Sequence, residues 1–173
     1  TQDHILNQAG NNHRFLGLTE NDLCLNVMPL FHSTGLIGVT LASMISGAGI
    51  VCPPGFYAPK FVEWLEEFRP TWFTAVPSIH QAILLRAADV KERVSHNRLR
   101  FIRSSSAPLP ATMLEDLEST FNAPVIESYG LTECGMIACN PLPPGKRKVG
   151  SVGVPTLVDL AVMDEAGGFL SLI

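Results

Sequence analysis

Residues 58–88 read APKFVEWLEEFRPTWFTAVPSIHQAILLRAA, and their pattern decides the fold class. Pro59 suits the first turn of a helix, and Phe61, Leu65 and Phe68 recur at helical spacing. Ala58 to Phe68 therefore reads as an amphipathic helix. The β-branched and aromatic run Thr71 to Val76 reads as a strand that stops at Pro77. Ser78 then caps a second helix, which runs through about Ala88.

The same alternation continues in both directions. Towards the C-terminus, Arg100 to Arg103 reads as a strand, Leu109 to Phe121 as a helix with Pro110 near its start, and Val125 to Glu127 as a strand that ends in a loop. Towards the N-terminus, Gly49 to Cys52 is a short strand stopped by Pro53, Pro54 and Gly55. Gly35 to Ser46 is a helix of small and apolar residues, and Leu23 to Met28 is a strand that runs into a Pro29 turn. Strand and helix alternating in this way predict an α/β domain with a largely parallel sheet flanked by helices. In such sheets ligands sit off the carboxyl ends of the strands.

Composition narrows the possibilities. Hydrophobic residues make up 46% of the 173, enough for a packed core and too many for a disordered chain. Charged residues are only 16%, low for a free-standing domain; surface covered by further chain and ordinary variation both account for that. The net charge is −4 and the basic triplet Lys146, Arg147, Lys148 reads as a solvated loop, so no nucleic-acid partner is expected. Cys24, Cys52, Cys134 and Cys139 have neither CxxC spacing nor a histidine in zinc-ligand register, which predicts free thiols in a reducing cytoplasm. The most apolar stretch, Leu36 to Cys52, is broken by glycines and hydroxyls and predicts no transmembrane segment. No internal repeat appears.

Three segments follow predicted strands. In MPLFHSTGL, Met28 to Leu36, His32 can gate a pocket, orient a carboxylate or contact phosphate, or be a buried histidine satisfied by backbone. In RSSSAPLP, Arg103 to Pro110, small side chains at Ser104, Ser105 and Ser106 would let a flat ligand lie against backbone; an ordinary capped turn fits equally. No GxSxG elbow surrounds these serines, which argues against a serine hydrolase. In ESYGLTECG, Glu127 to Gly135, Tyr129 can stack on a base, Gly130 permits a turn a β-carbon would forbid, Thr132 offers a hydroxyl to phosphate, and Glu133 is a hard oxygen ligand for Mg²⁺. A solvent-facing loop with a helix cap is the alternative.

These segments, with KVGSVGVP at Lys148 to Pro155, resemble the ordered motifs of the adenylate-forming superfamily, which includes acyl-CoA synthetases and the adenylation domains of peptide synthetases. The resemblance covers about Asn26 to Pro155. It implies a subdomain of the acyl-CoA synthetase-like large domain, central over residues 1–155, with the start of a following β-rich subdomain, cut short, at 156–173. It implies ATP-dependent activation of a small-molecule carboxylate and transfer of the acyl group to coenzyme A or to carrier-protein pantetheine, with Mg²⁺ at Glu133. Catalytic roles fall to His32, Thr132 and Glu133. Nucleotide contacts fall to Ser105, Ser106, Ala107, Ser128, Tyr129, Gly130 and Thr132, and the acyl pocket to His32, Thr34, Met136 and Ile137. Ser105 and Ser106 stand where many members have glycine or alanine, and a buried inert thiol is expected at Cys134. Nothing resembles the family's phosphate loop with its lysine, its ribose-binding aspartate or its C-terminal lid. The chain is therefore expected to be inactive alone and to self-associate through apolar surface. An adenylation domain that loads a carrier protein and a non-catalytic binding fragment are the competing readings.

Overall fold

The computed structural model describes residues 1–87 and 91–170. Nine strands occur among them: β1 Leu23–Asn26, β2 Gly49–Val51, β3 Trp72–Ala75, β4 Phe101–Ser105, β5 Val125–Leu131, β6 Gly135–Cys139, β7 Val154–Pro155, β8 Val162–Met163 and β9 Phe169–Leu170. The first seven form one sheet in the order β2-β1-β3-β4-β5-β6-β7. Pairing is parallel from β2 to β5 and antiparallel from β5 to β7. The expected α/β class with a mostly parallel sheet holds.

Helices cover both faces. On one side lie α3 Ala58–Phe68, α4 Pro77–Ala87, α5 Lys91–Ser95 and α6 Ala111–Phe121. Their apolar stripes meet alternate strand residues, with Phe61, Leu65, Ile83, Leu117 and Phe121 packed on Leu25, Phe73, Ile102 and Val125. Phe61 meets Phe73 edge to face at 5.0 Å and Phe121 at 6.4 Å. On the other side lie α1 Gln2–Leu16, a π-helix Thr34–Leu41 and α2 Ala42–Ser46. Here Trp72 stacks on Phe101 at 5.3 Å within a core that includes Leu16, Val39, Ala42 and Ile126.

The departures from expectation have identifiable causes. Helix α1 had no apolar period to announce it: its buried residues are Gln8, Ala9, Gly10, Asn12 and Leu16, amides and small residues until the last turn. Its caps are ordinary, with Thr1 accepting from the His4 N–H and Gly17 in the left-handed region at φ 55°. The predicted helix Gly35 to Ser46 opens as a π-helix because side chains compete for its carbonyls. Gly35 O accepts from Thr40 Oγ1 at 2.9 Å and from Asn26 Nδ2 at 3.2 Å. Helix α4 begins at Pro77, so Ser78 is inside it rather than capping it, and Val76 O receives the N–H groups of Ile79 and His80. The position Ala88 lies outside the described residues. The strand predicted at Arg100 to Arg103 shifts to Phe101–Ser105, with every residue buried.

The largest correction concerns ESYGLTECG. It is not a loop after a parallel strand: β5 runs on to Leu131 and turns back as β6, with a register shift at Tyr129/Gly130. Gly130 is required by close approach, since a β-carbon there would lie 2.2 Å from Gly135 O. Arg147 does not belong to a solvated loop either; it donates to Glu118 and to Val125 O, tying the segment before β7 to α6 and β5. Residues 162–170 form the separate β8–β9 hairpin, closed by Asp164 Oδ1 accepting from Ala166 N and Gly168 N.

Candidate active site

Along the face of the sheet covered by α1 and the π-helix, the strands change character from start to end. Trp72, Phe101 and Ile126 are apolar; the next residues on the same face are Thr74, Arg103 and Ser128, then Ser105. The polar ends open into a cleft of about 290 Å³. This is the carboxyl edge of the parallel strands, where an α/β sheet places its ligands.

The chain turns sharply to form its walls. After β4, Ser106 adopts φ 72°, a conformation that favours glycine, and its side chain lines the cleft beside buried Ser105. Ala107 is exposed beyond the lining. From β5 come Ser128, Tyr129 and Gly130, and from the turn to β6 come Thr132 and Glu133. Ser128 Oγ donates to Ser104 O at 3.3 Å, while the Tyr129 ring stands 46% exposed and available for stacking. Met136 of β6 closes the inner wall; Ile137, one residue on, points to the opposite face and lies outside the cleft.

His32 and Thr34 enter from the turn after β1. His32 is exposed, and its Nδ1 accepts from the Thr34 N–H at 3.2 Å, which leaves Nε2 to carry the proton of the neutral ring. Its exposure sets aside the buried alternative for this histidine, although one ring nitrogen is satisfied by backbone. Ser33 Oγ lies 3.3 Å from Thr132 Oγ1, so a hydroxyl pair links this turn to the β5–β6 turn. Helix α1 holds that turn from below: His4 Nε2 donates to Glu133 O, and Gln8 Nε2 donates to Glu133 O and Thr132 O at 3.2 and 3.3 Å. The Glu133 carboxylate is exposed at the rim.

Sequence reasoning missed Gln8, Asn12, Ser33 and Arg103, all of which line the cleft. Arg103 sits on the floor, 2% exposed, and burial draws its pKa below the ordinary guanidinium value. Its signal was a charge between Ile102 and Ser104 within a strand, where a buried cation needs partners. The cysteines near it are neutral: burial raises the Cys24 pKa well above the usual thiol value and pushes that of Cys139 up to about 12. Cys134, expected buried, is exposed beside Glu133. The Lys148 to Pro155 segment stays outside the cleft and docks along β6, where Asn140 Nδ2 donates to Ser151 O.

A mostly parallel sheet with hydroxyls, an aromatic ring, a carboxylate and a buried cation converging at its carboxyl edge is an α/β ligand-binding domain suited to an anionic, ring-bearing ligand. The chain belongs to the family of AMP-binding enzymes, whose family model matches residues 1–171. It is 41% identical over 171 residues to an oxalate–CoA ligase of Arabidopsis thaliana, covering 96% of this chain and 33% of that enzyme. It is 34% identical over 170 residues to a sulfoacetate–CoA ligase of Cupriavidus necator, covering 96% of this chain and 32% of the relative. Its fold matches ATP-bound MatB from Rhodopseudomonas palustris with a TM-score of 0.87 and 26% identity, over 99% of this chain and 33% of that one. The chain thus spans about a third of the length of the curated relatives it matches.

Proposed function

We propose that this chain supplies the adenine wall, the metal carboxylate and the acyl pocket of an ATP-dependent acyl-CoA synthetase. The observation that carries the reading is convergence: His32, Ser105, Ser106, Ser128, Tyr129, Gly130, Thr132 and Glu133, from three separate segments, line one cleft at the carboxyl edge of the sheet. In the reaction, a carboxylate oxygen of the substrate attacks the α-phosphorus of ATP and pyrophosphate leaves. The thiol of coenzyme A then attacks the acyl carbonyl and AMP leaves.

Tyr129 offers its exposed ring to adenine, beside the Ser105–Ser106 strip along which the adenine and acyl ends of the cleft meet. Thr132 presents its hydroxyl to a phosphate oxygen, positioned by Ser33. His32, protonated on Nε2, donates to an oxygen of the substrate carboxylate or adenylate. Thr34 and Met136 line the acyl end, while Ala107 and Ile137 stand outside the cleft. Glu133 fits Mg²⁺, a hard cation commonly held by one or two carboxylates plus substrate phosphates, because its carboxylate is exposed while its carbonyl is pinned by α1. Bound there, Mg²⁺ would neutralise charge on the phosphates.

Coenzyme A is the proposed acceptor, as in the names of the relatives, with carrier-protein pantetheine assayed beside it. Four unpaired cysteines suit a reducing compartment such as the cytoplasm, and acyl activation suits a place in fatty acid or short-acid metabolism. Residues 1–155 would form the central subdomain and 156–173 open the next. Exposed Phe31, Met44 and Leu85 favour self-association of the isolated chain.

The test is carboxylate-dependent exchange of pyrophosphate into ATP by the full-length gene product and by residues 1–173. Exchange by the full-length product, lost about a hundredfold in Glu133→Gln, is expected. No exchange across a broad panel of carboxylates would overturn the reading in favour of a binding fragment.

A further inference from the structure

Arg103 poses a physical problem that its neighbours do not solve. A guanidinium carries five N–H donors and a permanent charge. Here Nε donates to Thr74 Oγ1 at 3.2 Å and Nη1 to Asn12 Oδ1 at 2.8 Å. The other contacts are weak: Met136 Sδ at 3.8 Å and Gly38 O at 3.4 Å. One Nη2 hydrogen is left over. Among the described residues no carboxylate pairs with Arg103. Glu127 is on the neighbouring strand but, alternating with Ile126 and Ser128, points to the opposite face. A buried cation without an anion is costly, and a cleft that reaches it can deliver one.

The surroundings are built to keep the guanidinium in place rather than let it swing to water. The Trp72 ring lies under it at 5.7 Å, and a β-carbon on Gly38 would come within 3.3 Å of Nη2. Two residues along the same face of β4, the Ser105 hydroxyl lines the same cleft, 92% buried going by its 8% exposure, and has no hydrogen-bond partner. A fixed cation and an unpartnered hydroxyl thus line the same cleft as Glu133, which is exposed at the rim.

We propose that Arg103 and Ser105 form a receptor for a second anionic group on the acid being activated, so that the substrate is a short dicarboxylate or sulfonocarboxylate rather than a simple fatty acid. This rests on the acyl-CoA synthetase reading above. Arg103 binds the distal carboxylate or sulfonate by charge-assisted N–H bonds, Ser105 donates its hydroxyl to the same group, and the proximal carboxylate is left facing His32 and Thr132. A hydrocarbon tail in that position would strand the cation unpaired, so the arrangement selects against monoacids as well as for diacids.

The experiment measures pyrophosphate exchange by the full-length gene product with oxalate, malonate, succinate and sulfoacetate against acetate, propionate and butyrate. At least a tenfold higher kcat/KM for one dianionic acid over every monoacid is expected. Arg103→Met should lower that ratio at least tenfold, mainly through KM, with Arg103→Lys restoring part of it; a merely structural role would depress both classes alike. Ser105→Ala, which spares the packing around Trp72, should lower the same ratio by a smaller factor. Preference for a monoacid, or loss of equal size for both classes, overturns the proposal and leaves the synthetase reading standing. If no acid supports exchange, the synthetase reading fails, and calorimetric titration with malonate and propionate decides the receptor: tighter malonate binding that Arg103→Met abolishes supports it, and equal or absent binding overturns it.

Discussion

His80 shows how a single residue can carry a pH dependence that no motif announces. It lies on α4 with no exposed surface, its ring 5.8 Å from Phe73. Burial disfavours the charged form and lowers its pKa from 6.5 to about 4. Well above pH 6.5 the ring is neutral in both folded and unfolded chains, and it adds no pH dependence. As pH falls below 6.5 the unfolded chain takes up a proton that the folded chain refuses until about pH 4, so stability is lost across that window. The expected loss from this group between pH 7 and pH 5 is about 2 kcal/mol. Urea unfolding of the wild type and His80→Leu at both pH values checks it: the wild type should lose about 2 kcal/mol more than the variant, and parallel losses would contradict the assignment. The contrast with the cleft is instructive. Tyr129, Thr132 and Glu133, which line the cleft, were singled out through the resemblance of their motif to the family's, since their residue types alone left a solvent-facing loop open. His80, Gln8 and Arg103 were not, because their importance comes from burial, which only the fold creates. The reason for Gly130 was legible in kind but not in detail: a β-carbon is forbidden there by the facing Gly135 carbonyl, not by a left-handed φ.

Among the elements, those with apolar periods were read almost to the residue. Helix α3 spans the predicted Ala58–Phe68, and β1, β2 and β3 lie within one or two residues of their predicted ends. Helix α1 was invisible for the converse reason: over its middle turns it buries the amides Gln8 and Asn12 against a polar cleft, and only its last turn sends a leucine, Leu16, into a core. That burial gives α1 a job. Gln8 Nε2 satisfies the Thr132 and Glu133 carbonyls at the tip of the β5–β6 hairpin, and a β-carbon on Gly135 would collide with the Gln8 side chain at 2.8 Å. The hairpin tip is thus held by two side chains of one helix, His4 and Gln8. Gln8→Met keeps the volume and removes both hydrogen bonds, leaving Thr132 O to find water and Glu133 O with His4 alone, at a cost of about 1–2 kcal/mol. Hydrogen exchange should detect it locally: amides of residues 131–135 should exchange about tenfold faster while those of β4 keep their protection. Unchanged exchange at the tip would mean that the strands alone hold it.

At the scale of the whole molecule, the sheet is shared by two cores, and that sharing dictates how the molecule comes apart. One core, around Phe61, Phe73 and Phe121, packs on one face; the other, around Trp72 and Phe101, packs on the opposite face of the same strands. Neither can lose the sheet without the other losing its floor. The sheet edges, β2 and β7, are only three and two residues long, so they offer little backbone for edge-to-edge pairing. The chain's two tryptophans report on the two layers separately: Trp64, half-buried on α3, packs against the first core, and Trp72 is fully buried in the second. Unfolding of residues 1–173 should accordingly be a single cooperative event. Trp64→Phe and Trp72→Phe each leave one reporter, and within each variant the fluorescence midpoint in urea should coincide with the far-ultraviolet circular dichroism midpoint. The Trp72→Phe variant should unfold at lower urea, because it gives up the stacked indole under Arg103, yet its two probes should still agree. If instead the Trp72 signal is lost well before the helical signal, the layer formed by α1, the π-helix and α2 is held only loosely by the strands. The cleft, which lies between that layer and the sheet, would then take its shape from bound ligand rather than from the fold.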